Sequence, residues 1–128
     1  KVITSAELLA GQVREARLGA ISRNRPFRVL FNCPAAGAFR MLEVTGDASI
    51  DDDADRCSTP LPNDGPPIYL PANVGFGGFA PKNLQISARG QVSAVDGGLL
   101  PLIYGITYGS HTRTVSVTAL GRVTIADE

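Results

Sequence analysis

TSAELLAGQVREARLGAISRNRPFRV, residues 4–29, joins a long amphipathic segment to an abrupt break and an alternating segment. Its apolar residues recur at spacings of three and four, which predicts a helix over residues 4–22 with one apolar face. Thr4-Ser5-Ala6-Glu7 has the pattern of a capping box at the start of that helix. Pro26 cannot continue a helix, so the helix must end near Asn24. The apolar face is rich in alanine, which predicts close packing against a sheet, and it consists of Ala6, Leu9, Ala10, Val13, Ala16 and Ala20. The residues predicted to lie on other faces are Gln12, Arg14, Glu15 and Ser22.

The remainder of the chain reads as short strands separated by turns that contain Gly or Pro. Alternating apolar residues predict strands at residues 27–31, 39–44, 84–87, 92–95, 99–108, 112–118 and 123–125. A turn at residues 34–37 joins the first two of these strands into a predicted hairpin. Gly105 inside a strand predicts a bulge. We expect the segment 75–79, Gly-Phe-Gly-Gly-Phe, to be irregular and flexible, with two rings that could close one end of a sandwich.

Two later stretches are nearly repeated: SARGQV at residues 87–92 and TALGRV at residues 118–123. Each joins two alternating segments through a short loop with glycine in fourth place. That pattern predicts a three-residue hairpin turn whose glycine has left-handed backbone angles. The predicted fold is therefore α+β, an N-terminal helix packed against antiparallel sheet built from hairpins. We expect a single domain over residues 1–128, in which residues 1–22 are helical and residues 27–126 are rich in strands.

The composition narrows the function classes. The chain has 128 residues, 12 basic and 12 acidic side chains, and 44% hydrophobic residues. The hydrophobic fraction excludes a chain that is disordered throughout. The equal numbers of basic and acidic side chains do not favour nucleic acid or a membrane surface as a partner. No apolar run approaches the ~20 residues that a membrane helix needs. The chain begins at Lys1 and not at Met, and we expect a processed or trimmed product.

Cys33 and Cys57 are the only cysteines, and their spacing matches no metal motif. Both lie beside turn-forming residues, and a disulfide between them would anchor the long loop over residues 46–67. Closing that loop would stabilise the fold by roughly 3 kcal/mol on the chain-entropy model. A disulfide implies an oxidising compartment, the periplasm or the exterior. The alternative is a pair of buried free thiols.

The sequence contains few residues that could carry catalysis. Asp51, Asp53 and Asp55 have the spacing of a calcium loop, but Arg56 and Pro62 occupy the positions of the expected Gly and Glu, so a solvated acidic loop is favoured. His111 is the only histidine, and no motif marks a nucleophile or an oxyanion site. The sequence thus predicts no enzyme activity, no resident metal and no cofactor.

Arginine is concentrated around the end of the predicted helix. The cluster could contact phosphates or an acidic partner, although cations near a helix C-terminus are also favoured by the helix dipole. Arg113 and Arg122 lie apart from it in the last hairpin, one in a strand and one just past the turn. The cluster consists of Arg14, Arg17, Arg23, Arg25 and Arg28.

Three stretches together resemble the GspH/FimT pseudopilin family. VREARLGAISRNRPFRV, residues 13–29, is similar to the family's junction between helix and first strand. NLQISARGQV, residues 83–92, and TVSVTALGRVTI, residues 114–125, are similar to its middle and closing hairpins. The resemblance covers roughly half of the chain, and residues 46–80 have no counterpart in it.

The resemblance implies a pilin-like fold and a structural role. Family members have a leader that a prepilin peptidase removes, a methylated N-terminus, and a hydrophobic helix in the bacterial inner membrane, with the globular domain in the periplasm. The implied function is that of a minor pilin or pseudopilin that helps to assemble or initiate a type IV pilus or a type II secretion pseudopilus. The implied partners are other pilin-type subunits and the inner membrane, with no small-molecule substrate.

Two other functions compete with this one. Some FimT-like members resemble DNA-uptake receptors with an arginine-rich end. Here Arg122 is kept, Thr124 stands where a second arginine is expected, and the acidic tail 127–128 would repel phosphate. Arg113 and Arg122 are the candidate DNA contacts. The third hypothesis is a secreted β-rich enzyme or carbohydrate-binding module, for which only His111 and the acidic run offer polar groups.

Overall fold

The structure, a computed structural model, describes residues 1–77 and 80–127. Helix α1 spans Val2–Arg23, and all six residues of the predicted apolar face are fully buried. The predicted capping box is wrong, because the backbone N–H of Ser5 bonds to the carbonyl oxygen of Lys1 and the helix already includes residues 2–4. Gln12 was predicted to lie outside the apolar face, but it is buried, because Gly65 of the 46–67 loop lies over that side of the helix.

The helix ends where its sequence predicts. Asn24 has left-handed backbone angles, with φ 52° and ψ 45°, and the Arg25 N–H bonds back to the Ala20 carbonyl oxygen at 3.1 Å. Such a left-handed residue closes the last helical turn and turns the chain away from the axis. Pro26 then leads directly into the first strand.

Two antiparallel sheets follow, and α1 packs against both. The strands of the first sheet are β1 Phe27–Phe31, β2 Ala38–Glu43, β3 Ile68–Tyr69, β5 Leu84–Ile86 and β6 Val92–Ala94. Those of the second are β4 Gly75–Gly77, β7 Leu102–Tyr108, β8 His111–Val117 and β9 Val123–Asp127. The first sheet has the strand order β3-β2-β1-β5-β6, and the second has the order β4-β7-β8-β9. The predicted α+β fold is confirmed.

A cluster of aromatic side chains from β1, β4 and β7 joins the two sheets. The Phe31 ring of β1 stacks on Tyr104 of β7 with centroids 4.5 Å apart, and meets the Phe76 ring of β4 edge-on at 5.4 Å. Such ring pairs add to the free energy gained by burying their apolar area. Phe76 thus lies between the sheets, whereas Phe79, predicted to act with it, lies outside the described residues.

Two predictions about glycine segments are wrong. Residues 75–77 are not irregular, because they pair with β7 as strand β4. Gly105 forms no bulge, since it pairs in regular register with Gly77 on one side and Thr114 on the other. A Cβ at Gly105 would lie 3.2 Å from the Gly77 carbonyl oxygen, so the glycine allows two strands to approach closely.

The repeated stretches form the two predicted hairpin turns. Gly90 has φ 85° and Gly121 has φ 87°, and their N–H groups bond to the carbonyl oxygens of Ser87 and Thr118. β5 pairs with β6, and β8 pairs with β9. Among the described residues, no helix is long and apolar enough to cross a membrane.

Candidate functional site

The 46–67 loop is fastened to the first sheet by a covalent bond and by buried charges. It contains helix α2, Ala48–Asp51, and a 3-10 helix, Arg56–Ser58. The predicted disulfide is present: Cys33, just after β1, is bonded to Cys57, with their Cα atoms 5.5 Å apart. Buried Arg40 of β2 donates hydrogen bonds to the carbonyl oxygens of Cys57 and Gly65.

A fully enclosed ion pair lies at the centre of this attachment. The Arg56 and Asp64 side chains are only 4% and 1% exposed, and two parallel hydrogen bonds of 2.7 and 2.8 Å join them. Asp64 also accepts the backbone N–H groups of Glu43 and Leu61. Burial alone would raise the pKa of Asp64, but the hydrogen bonds to its carboxylate outweigh that effect and lower it. The bonds to Asp64 also raise the pKa of Arg56.

Glu43 connects this pair to the end of α1. Its carboxylate is buried, accepts a hydrogen bond from Arg25 at 2.9 Å, and accepts the Asn63 N–H at 2.8 Å. Sequence reasoning missed the whole network of Arg40, Glu43, Arg56 and Asp64. These residues look like ordinary polar residues in the sequence, and only their common burial reveals the role.

Asp51 departs from the solvated acidic loop that the sequence favoured over a weak calcium site of Asp51, Asp53 and Asp55, because Asp51 is buried. The Asp51 carboxylate is buried and already accepts the N–H groups of Thr45 and Gly46, so it closes a turn. Asp53 accepts the Asp55 N–H at 2.7 Å. Within residues 1–77 and 80–127, no group of three or more His, Cys, Asp or Glu residues is arranged to hold a metal ion.

Arg17 of α1 contacts both of the repeated turns. Its Nε donates to the Gly90 carbonyl oxygen at 3.2 Å, and a Cβ at Gly121 would lie 2.5 Å from the same nitrogen. The Val92 N–H bonds to the Ala119 carbonyl oxygen at 2.8 Å, which joins the two turns directly. Both turns therefore meet one helix side chain, and glycine is favoured in each because its φ is positive and Arg17 lies close beside it.

The other clustered arginines are used in different ways. Arg14 donates to the Val123 carbonyl oxygen at 3.4 Å, Arg25 pairs with Glu43, and Arg28 pairs with Asp52 at 2.9 Å. Arg23 is exposed at the last turn of α1. Most of the cluster thus holds the helix, the hairpin turns and the loop together.

The two candidate DNA contacts lie at opposite ends of the second sheet. Arg113 pairs with Asp127 in register, whereas Arg122 follows the turn beyond the Val117–Val123 pair. Four residues of strand separate these places, roughly 13 Å at about 3.3 Å per residue. The structure does not bring the two arginines together, and their contact with DNA stays a prediction.

His111 and the acidic run line different cavities. His111 is exposed and lines a cavity of about 300 Å³ with Lys1, Tyr108 and Arg113, remote in sequence from the acidic run. A second cavity of about 650 Å³ has a mainly apolar lining that includes Leu99, Ile103 and Tyr104. A third, of about 240 Å³, lies within the 46–67 loop.

Comparison with solved structures shows which fold this is. The chain is similar to the minor pseudopilin EpsH from the Type 2 Secretion System of Vibrio cholerae, with TM-score 0.65, 17% identity, and coverage of 98% of this chain and 96% of that one. It is also similar to the type IV minor pilin FimU of Pseudomonas aeruginosa, with TM-score 0.66, 16% identity, and coverage of 98% and 87%. The sequence matches no protein-family model and none of the curated proteins. Over almost its whole length, this chain has the fold shared by a minor pseudopilin and a minor pilin.

Proposed function

We propose that this chain is a minor pilin or pseudopilin of the GspH/FimT type, a structural subunit that helps to assemble or initiate a type IV pilus or a type II secretion pseudopilus. The observation that supports the proposal most strongly is the shared fold over 98% of the chain with proteins of both machines. The sequence resemblance in residues 13–29, 83–92 and 114–125 points independently to the same family. The proposed partners are therefore other pilin-type subunits.

The architecture suits a structural role. The helix face that contacts the sheets is formed largely by alanine and valine. Arg14 and Arg17 attach α1 to the hairpins, and Arg25, just beyond the end of α1, pairs with Glu43 of β2. The helix and the sheets therefore share one hydrophobic core. Such packing suits a subunit that is stacked beside others, and the buried charged groups of the 46–67 loop, Asp51, Arg56 and Asp64, are used in internal bonds. We propose accordingly that the protein is not an enzyme.

The proposed location is the bacterial inner membrane, with the described domain in the periplasm. The Cys33–Cys57 disulfide supports an oxidising compartment. Membrane attachment follows from the family resemblance and needs a direct test.

Deletion of the gene in the bacterium that encodes it tests the proposal. We expect loss of surface pili or loss of type II secretion, and restoration by the complete native gene. Measuring piliation and type II secretion in the same strain shows whether the protein serves the type IV pilus or the type II secretion pseudopilus. A photo-cross-linking residue at the exposed Leu8 or Leu18 of α1 should then give adducts with pilin-type subunits.

A matched control places the same cross-linker at buried Leu9, which should give no adduct with another subunit. Normal piliation and normal secretion in the deletion strain, together with no pilin-type adduct, would reject the proposed function.

A further inference from the structure

The β8–β9 turn exposes one large apolar side chain beside a positive charge. Leu120 is 74% exposed at the tip of the turn, and Arg122 is exposed two residues later. The turn is held in place, because Gly121 lies against Arg17 and Ala119 accepts the Val92 N–H. An apolar residue presented on a fixed support loses little conformational entropy when it docks.

The positive charge of this surface is not neutralised internally. The contacts of Arg17 with Gly90 and Gly121 bring four arginines close together: Arg14, Arg17, Arg89 and Arg122. None of the four forms an ion pair within residues 1–77 and 80–127. We call this surface, Leu120 with these four arginines, the arginine tip.

The 46–67 loop contains a cavity whose apolar and acidic lining is complementary to the arginine tip. It has a volume of about 240 Å³, with apolar atoms from Ile50 and Leu61 and acidic side chains from Asp53 and Asp55. Ligand pockets usually have about 300–1,000 Å³, so this cavity suits a single side chain better than a small-molecule ligand. Arg56 also lines it, but its charge is already matched by Asp64. Asp53 and Asp55 form no ion pair among the described residues.

We propose that the arginine tip of one copy docks on the loop cavity of a second copy, with Leu120 between Ile50 and Leu61 and Arg122 beside Asp53 and Asp55. The occupant is a second copy because the one chain carries both complementary surfaces, apolar to apolar and basic to acidic, while its net charge is zero. Different surfaces can pair head-to-tail or reciprocally across a two-fold axis; the head-to-tail arrangement is the one proposed, and association that stops at a dimer would contradict it. Each docked copy leaves one tip and one cavity free, and association continues beyond a dimer.

This inference deepens the proposed subunit role and rests on it for its biological meaning, but the association is measurable without it. The contact is small, and we expect a weak Kd on the order of 10⁻⁴ M. Salt should weaken the contact because its charges are near the surface.

Sedimentation equilibrium of the purified protein tests the proposal. At loading concentrations up to about ten times that Kd and at about 20 mM salt, we expect oligomers beyond the dimer, and mostly monomer at about 500 mM salt. Leu120→Asp should weaken association at least 10-fold. The control is Leu99→Asp, which changes an apolar residue that is 90% exposed elsewhere and should leave association unchanged.

Charge reversal tests the pairing of the two surfaces. Arg122→Asp and the double variant Asp53→Arg/Asp55→Arg should each be monomeric alone, and their mixture should associate again. Arg122→Asp should unfold at the parent's temperature because Arg122 is exposed, whereas the double variant also loses the hydrogen bond from the Asp55 N–H to Asp53, so association is compared at a temperature where thermal unfolding shows both variants folded. A monomeric parent at low salt, no effect of Leu120→Asp, or no recovery in the mixture would overturn the proposal. Such a result would leave the proposed function standing, since deletion of the gene tests that separately.

Discussion

Asp64→Ala should be among the most damaging single substitutions in the 46–67 loop. The Asp64 carboxylate accepts two hydrogen bonds from Arg56 and one backbone N–H each from Glu43 and Leu61. Its removal leaves a guanidinium group that is only 4% exposed without its counter-ion, and two backbone donors without this acceptor. Breaking a buried pair on one side typically costs about 3–5 kcal/mol.

Urea unfolding with the disulfide intact measures this loss. In thermal unfolding of a domain of this size, the corresponding decrease in Tm is on the order of 10–20 °C. The matched control is Asp52→Ala, which also removes an arginine partner. Because the Asp52 side chain is 60% exposed, its pair with Arg28 should contribute at most about 1 kcal/mol.

A double-mutant cycle with Arg56→Ala separates pairing from other effects. The two substitutions remove the same interaction, so their combined cost should be smaller than the sum of the single costs by about 1–3 kcal/mol. If Asp64→Ala costs less than about 1 kcal/mol, or no more than Asp52→Ala, the ion pair does not hold the loop and the reasoning fails.

Three further outcomes follow from the same structure. The pKa of Asp64 is lowered in the folded state, so the stability that its carboxylate contributes is present above its ordinary pKa of 3.8 and is lost as pH falls through the lower folded value. Urea unfolding at a series of pH values should show the free energy of unfolding falling over this range, and Asp64→Asn should make that fall smaller. Gly121→Ala should cost about 2–4 kcal/mol in urea unfolding, because it has positive φ and no room for a Cβ, whereas Gly37→Ala, with similar φ and open space, should cost about 1 kcal/mol. Replacing Cys33 and Cys57 together by serine should lower the free energy of unfolding by about 3 kcal/mol, measured by urea unfolding, and a reducing agent should then have no further effect on the variant. Equal costs at the two glycines, an unchanged pH slope, or a reducing agent that leaves the parent's stability unchanged would contradict these arguments.

The sequence by itself determined the features that depend on a few neighbouring residues. The apolar stripe of α1 follows from spacing alone, its end follows from Asn24 and Pro26, and the two hairpin turns follow from glycines that need positive φ. The family resemblance came from these same local features, which is why it agrees with the fold although residues 46–80 lay outside it.

Only the tertiary structure decided which side chains are buried and which segments of the chain contact one another. The burial of Gln12 and the approach of Gly105 to β4 depend on segments that are far apart in the chain. Arg56 and Asp64 lie in one loop, but their pair is buried where that loop bonds to Glu43 of β2. No local pattern distinguishes a buried charge from a solvated one, because the difference lies in what covers it. For the same reason, the convergence of two similar turns on Arg17, and the exposure of Leu120 beside them, could be found only once helix and sheets were assembled.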